Sequence, residues 1–345
     1  MTNKRKNALS IINSFKDSIP NERYSKVMSA IFLFDYLDIL LKNSFPKDWL
    51  NNFEESLEKY SNSLNFISQN LDRDLPIEGQ VNSDSPGNTN DVASLTGEVY
   101  YELWKDFEKR EYFNNTKKIL TDRFTRNNIS LEGFNSVLDS GCGGGRYTLA
   151  LKDLGINKAI GIDVSQNSVD FANKMNIFKD DVSFKKASVL DLPFENEEFD
   201  FVFSNGVLHH TTNTLQGLKE INRVMKKGGS CWLYLYGGKD SFFWDIVDCC
   251  RMLLKDIPET YCINVMKTLG YSSGRIFHRN DFFYVPIHNR YFEEDVIKML
   301  HQAGFKKFRR LDRGSKFDWD EIIFNNPDID PYIYGEGEMR FFIEK

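Results

Sequence analysis

The sequence predicts an α/β fold, a parallel sheet covered by helices, preceded by a helical extension. Three observations carry this. From Ser136 onward, short apolar runs alternate with stretches of helical spacing. A glycine-rich turn, Asp139-Ser140-Gly141-Cys142-Gly143-Gly144-Gly145-Arg146, lies between the first apolar run and the first such stretch. The first hundred residues show helical spacing alone. Strand alternating with helix is the pattern of a parallel sheet buried on both faces.

The extension comes first. Val27, Ile31, Phe34 and Leu41 share one helical face, with Leu37 beside it. A second helix after Pro46 carries Phe53, Leu57, Tyr60, Leu64, Ile67 and Leu71, a stripe that one helix can bury. The stripe serves either as a layer packed on the next domain or as a surface for a homodimer. Asp72 to Gly97 holds Pro76, Gly79 and Ser85-Pro86-Gly87-Asn88 and reads as a linker. Helical spacing resumes at Glu98 with Tyr100, Tyr101, Leu103, Trp104, Phe107, Tyr112 and Phe113. The expected division is therefore residues 1–97 and 98–345.

Five strands follow in order: Val137 to Asp139, Ala159 to Asp163, Val182 to Lys185, Phe199 to Ser204 and Cys231 to Tyr236. A helix from Glu293 to Ala303 and strands from Phe305 to Leu311 and Met339 to Ile343 close the chain.

Composition narrows the function. The 345 residues exceed one typical domain, and 27% charged with 41% hydrophobic residues is a globular mix. A net charge of −6 disfavours nucleic acid as the main partner, because phosphate contacts need clustered cations. Met1-Thr2-Asn3-Lys4-Arg5 leads into no apolar run, so no signal peptide is expected. Asp35 and Asp38 interrupt Val27 to Leu41, which reads as a buried helix rather than a membrane span. The cysteines are Cys142, Cys231, Cys249, Cys250 and Cys262, with no C-x-x-C pair. Reduced thiols, no metal site and a cytoplasmic setting are expected.

The glycines let the backbone turn sharply and approach a ligand. Asp163 ends the next strand twenty residues after Gly143, where a carboxylate meets ribose hydroxyls in a nucleotide-binding unit. Asp163 could also cap the helix that follows. A dinucleotide dehydrogenase would show a similar turn.

The details resemble the class I S-adenosylmethionine-dependent methyltransferases. Asp139, Gly141, Gly143 and Gly145 match that family's Asp-x-Gly-x-Gly-x-Gly signature. The likeness continues through Ser188-Val189-Leu190-Asp191-Leu192-Pro193-Phe194, Phe199-Asp200-Phe201-Val202, Ser204-Asn205-Gly206-Val207-Leu208-His209-His210 and Glu220 to Gly229. It covers roughly Val137 to Tyr236 in the family's order. The resemblance implies a three-layer Rossmann-like sheet, mostly parallel, whose last strand, after Gly335-Glu336-Gly337-Glu338, runs antiparallel. It implies S-adenosylmethionine as cofactor. Ser140, Gly141, Cys142 and Gly143 would lie against its methionine part, with Asp139 near the amino group. Asp163 would take the ribose hydroxyls and Val164 would pack beside the adenine. Ser188 and Val189 would meet the adenine edge, although many relatives have Asp or Asn in place of Ser188. Asn205 would present backbone to cofactor and substrate.

Transfer from a sulfonium needs mainly proximity and alignment. A base is required only if the acceptor must lose a proton, and His209 and His210 are the candidates. Residues 237–291 form an insertion rich in rings, including Phe242, Phe243, Trp244, Phe282 and Phe283, with Arg251, Arg275 and Arg279 among them. It resembles the caps of small-molecule methyltransferases, or it is its own core. Cys249, Cys250 and Cys262 invite comparison with arsenic methyltransferases, though adjacent cysteines on a helix share a ligand poorly. The expected activity is methyl transfer to oxygen, nitrogen or carbon of a small molecule. An RNA or protein methyltransferase that recognises its target through the N-terminal region is the alternative, and a catalytically silent cofactor-binding protein is a third.

Overall fold

The computed structural model describes residues 3–42, 45–46, 48–70, 109–316 and 318–345, with the backbone alone at 109–112. The expected linker and the aromatic helix from Glu98 to Phe107 lie outside the described residues, as do the side chain of Tyr112 and the whole of Leu71.

The chain divides into two compact units. One comprises residues up to 91, Asp240–Tyr284 and Ile329–Ile333; the other comprises Val92–Lys239, Val285–Asp328 and Tyr334–Lys345. The first is helical, built from α1 (Asn3–Ser18), α2 (Arg23–Lys42), α3 (Trp49–Asn70), α8 (Phe242–Leu254), α9 (Glu259–Thr268) and α10 (Ser273–Tyr284). Phe34 of α2 lies edge-on to Phe243 and Phe283 at 6.0 and 5.5 Å, and Trp49 meets Phe242 at 4.6 Å. Such ring pairs add to the area they bury. Asp35 and Asp38, which break the apolar run of α2, both accept hydrogen bonds from the fully buried Arg279 of α10.

This corrects the expected boundaries. Asp240–Tyr284 groups with the N-terminal helices rather than with the sheet, because its rings bury against α2 and α3. The arginines of this segment are likewise engaged inside the helical unit. Arg251 donates to the carbonyls of Phe282 and Phe283, and Arg275 pairs with Asp35.

The second unit contains α4 (Lys109–Arg126), β1 (Ser136–Ser140), α5 (Arg146–Asp153), β2 (Lys158–Asp163), α6 (Gln166–Met175), β3 (Val182–Lys186), β4 (Phe199–Asn205), α7 (Thr214–Val224) and β5 (Met225–Tyr236). It closes with α11 (Glu293–Gln302), β6 (Lys307–Leu311), α12 (Trp319–Asn325) and β7 (Glu338–Glu344). The strand order is β3-β2-β1-β4-β5-β7-β6. The pairs from β3 to β5 are parallel, and β7 runs antiparallel to β5 and β6, as the resemblance implied.

Alternating strand residues feed two cores. Leu138, Val202, Cys231 and Leu233 pack with Leu218 and Ile221 of α7 and with Val296 and Leu300 of α11. Val137, Phe201, Phe203 and Trp232 pack with Leu120 and Phe124 of α4, Leu149 of α5 and Ala172 of α6. Helix, sheet and helix make three layers. The order β2-β1-β4-β5 brings the carboxyl ends of these strands to one edge, where open α/β sheets place ligands.

Candidate functional site

The site begins with the turn after β1. The N–H groups of Gly141 and Cys142 both donate to the Ile162 carbonyl, at 2.9 and 2.7 Å, which folds the turn back onto β2. Gly141 has φ +99°, and a Cβ there would stand 2.5 Å from the methyls of Val207. Gly145 has φ +83°, and its Cβ would stand 2.7 Å from Phe184 Cζ. Only glycine meets both the dihedral and the clearance at these positions.

Asp163 clasps the turn from β2. Its Oδ2 accepts from the Gly143 N–H at 2.9 Å, and its Oδ1 accepts from the Ser165 N–H at 3.0 Å. Burial raises its pKa. The helix cap is Ser165, whose Oγ accepts from the Ser168 N–H at 3.2 Å, so Asp163 is not itself the cap. Asp139 is buried and accepts from Thr148 Oγ1 at 2.6 Å. Burial pushes its carboxyl up to about 7, against the Thr148 hydrogen bond and with Asp163 adding its charge.

Ser140 is fully buried, and its hydroxyl has no partner among the described residues. Cys142 is buried too, and burial holds its thiol well above the ordinary range, so it packs and does not react. Ser188 Oγ accepts from the Leu190 N–H at 3.1 Å, which leaves the hydroxyl proton to donate elsewhere. Val189 is buried and Val164 half-buried at the same edge. Asn205 Oδ1 accepts from Trp232 Nε1 at 3.0 Å, so the amide is fixed and the backbone is what this residue can present.

His209 and His210 follow β4 in a single 3-10 turn, and both are buried. The Tyr236 N–H donates to His209 Nδ1 at 3.0 Å, and the His209 ring stacks on Tyr236 at 3.6 Å. Burial drives the His209 pKa well below 6.5, with His210 and His288 adding to the effect. The ring is neutral. His210 Nδ1 lies 2.7 Å from the Ile287 carbonyl, which can only accept, so this nitrogen carries the proton. Of the two, His210 therefore has the tautomer with a basic Nε2.

Sequence reasoning missed a charged network beside these residues. Arg340 of β7 is fully buried and pairs with Asp320, with Glu338 at 2.9 Å and with Asp318 at 3.6 Å. It lies over the Tyr234 ring, 4.7 Å from the centroid, and the Tyr234 hydroxyl donates to Glu338 Oε1 at 2.9 Å. Arg123 of α4 makes a two-pronged bond to Asp318 at 2.6 and 2.9 Å and donates to the Tyr147 hydroxyl at 3.2 Å. Burial raises Asp320 to about 7, where Arg340 alone would lower it. The acidic runs Asp318-Trp319-Asp320-Glu321 and Gly335 to Glu338 were the signal, but nothing in the sequence pairs them with Arg340. Among the described residues no group of three His, Cys, Asp or Glu side chains could hold a metal ion.

A glycine cradle, a carboxylate clasping it and a buried unfilled hydroxyl at one sheet edge fit an adenosyl amino acid. Residues 138–233 match the family model described as a methyltransferase domain. The chain thus carries a class I methyltransferase domain, the kind that uses S-adenosylmethionine. Three curated relatives match part of it. The mitochondrial ubiquinone biosynthesis O-methyltransferase of Dictyostelium discoideum is 30% identical over 36% of this chain and 42% of its own length. A tRNA U34 carboxymethyltransferase of Campylobacter hominis is 30% identical over 41% and 49%. A demethylmenaquinone methyltransferase of Staphylococcus aureus is 32% identical over 33% and 45%. The chain spans less than half the length of each.

Proposed function

We propose that the protein methylates a small-molecule acceptor from S-adenosylmethionine by in-line displacement. The observation that carries this reading is the Asp163–Gly143 clasp, which sets a carboxylate against a backbone turn at the ligand-binding edge. The bound cofactor supplies a methyl group already activated by a positive sulfonium. The chain holds it. The turn from Ser140 to Gly143 takes the methionine part, with Asp139 near the amino group. Asp163 takes the ribose hydroxyls, Val164 flanks the adenine, and Ser188 and Val189 meet its edge. The Asn205 backbone and the His209-His210 turn face the acceptor. Two relatives are named for ubiquinone biosynthesis and for demethylmenaquinone, which supports a small-molecule acceptor.

The third relative's name favours a second reading, an RNA acceptor recognised through the N-terminal helices. Those helices also leave Ile39, Phe66 and Ile67 exposed, and pairing of two copies through them belongs to the proposal. Among the described residues no helix is long and apolar enough to cross a membrane, and a cytoplasmic setting stays part of the same proposal.

The test uses full-length protein and methyl-labelled S-adenosylmethionine with an extract split into metabolites, RNA and protein. Label in the metabolite fraction, lost with Asp163→Ala, is the expected result. Label confined to RNA or protein overturns the small-molecule reading.

A further inference from the structure

Among the described residues, His209 has hydrogen bonding that is half complete. A backbone N–H can only donate, so the Tyr236 N–H requires a lone pair on His209 Nδ1. A neutral imidazole with an accepting Nδ1 carries its proton on Nε2. That Nε2–H is fully buried and has no partner among the described residues. A buried donor left unmade is costly, and native structures rarely keep one without use. The turn holding it is pinned as well. The His209 carbonyl accepts from the Asn289 N–H at 2.9 Å, and the ring is sandwiched by stacking on Tyr236 and an edge contact with His210 at 4.2 Å.

From this geometry we propose that His209 donates from Nε2 to an oxygen of the methyl acceptor, one that bears negative charge as a phenolate or enolate. This rests on the methyltransferase reading above and deepens it. A dry donor is strongest toward a charged oxygen, which favours an acceptor that arrives ionised. In the transfer, the acceptor's lone pair forms the bond to the methyl carbon while the carbon–sulfur bond breaks, and that electron pair stays on sulfur. No proton passes to His209, because Nδ1 is taken and Nε2 is already protonated. His209 thus orients and stabilises; it does not act as the base. His210 and His288 are the titratable groups that face it, beside the rings of Tyr234 and Tyr236, and they add to the burial that keeps His209 neutral.

Two variants separate the roles of the two nitrogens. His209→Asn keeps an acceptor for the Tyr236 N–H and withdraws the Nε2 donor; His209→Gln restores a donor at that reach. Labelled transfer into the metabolite fraction is read beside the melting shift caused by S-adenosylhomocysteine. The Asn variant is expected to keep the melting shift and lose transfer about 100-fold, the cost of one oxyanion donor, and the Gln variant to recover part of it. Wild-type transfer by the Asn variant overturns the proposal, as does loss of the melting shift in both variants, which would mark a purely structural histidine. An arm independent of activity reads the ring nitrogens by ¹⁵N spectroscopy. A proton on Nε2 that stays unchanged from about pH 5.5 to 8 supports the donor role, and a titrating ring overturns it. Absence of label from the wild-type protein in every fraction overturns the methyltransferase reading, and this proposal with it.

Discussion

Asp163 Oδ2 accepts a hydrogen bond from the Gly143 N–H at 2.9 Å, joining the end of β2 to a turn twenty residues earlier in the chain. The same carboxylate accepts from the Ser165 N–H at the start of α6. One side chain therefore sets the shape of the turn and, in the proposed function, the place where a ribose would meet it.

Asp163→Ala removes both roles. The Gly143 and Ser165 N–H groups lose a half-buried acceptor, at about 1 kcal/mol of stability. The melting shift with S-adenosylhomocysteine is expected to vanish at concentrations that saturate the wild-type protein. A variant that melts lower yet keeps the full shift would show that Asp163 only braces the turn.

Gly145→Ala tests the turn from its other end. The added methyl would sit 2.7 Å from Phe184 Cζ at φ +83°. Strain and crowding together are expected to cost about 2 kcal/mol, read as a lower urea midpoint. Gly133→Ala is the control. It shares a positive φ, +89°, but has nothing within 4 Å, so its smaller loss isolates the cost of the dihedral. Equal losses in the two variants would remove Phe184 from the account.

The sheet and the glycine turn were legible because they are local. The turn, Asp163 and the strands from Val137 to Tyr236 are short-range patterns with a fixed order. Other features depend on partners far apart in the chain. Asp35 and Asp38 looked like breaks in an apolar run, and Arg279 explains them from 244 and 241 residues away. The rings of α8 and α10 pack with the N-terminal helices for the same reason: spacing tells which face of a helix is buried but not which neighbour covers it. Arg340 and its carboxylates come from two segments, residues 318–320 and β7, and charge alone did not join them. For His209, the residue was visible in the sequence, but its tautomer depends on the backbone of Tyr236 in the adjacent strand.

Arg279 joins α10 to α2 by charge, its own side chain buried and the two carboxylates half-buried. It lies over Phe34 and Tyr271, 5.5 and 5.2 Å from their centroids, and bonds to Asp35 and Asp38. Arg279→Met leaves two carboxylates without their shared cation, with Arg275 and the Tyr271 hydroxyl still on Asp35. The loss is expected to be about 3 kcal/mol, measured by chemical denaturation followed in the helical signal. The S-adenosylhomocysteine shift should persist in the fraction that stays folded. An unchanged midpoint would mean that water already screens this pair.

If Asp139 lies near the cofactor's amino group, as proposed, cofactor binding depends on pH. Burial lifts its carboxyl to about 7, so below that value it is protonated in the folded protein and above it ionised. A carboxyl raised above its unfolded value adds stability at low pH and loses it as pH climbs from about 4 to 7. Binding runs the opposite way. An ammonium group near Asp139 favours the ionised form, so the ligand must displace the proton when the pH is low. The affinity for S-adenosylhomocysteine is therefore expected to rise between about pH 5 and 7, by up to tenfold per unit, and to level off above. Titration calorimetry in buffers of different ionisation enthalpy should show a proton released at the lower pH. Asp139→Asn should bind more weakly at neutral pH, with a flat profile and no proton released. A flat profile in the wild-type protein would place the ammonium away from Asp139 and leave this carboxyl as the anchor of Thr148 alone.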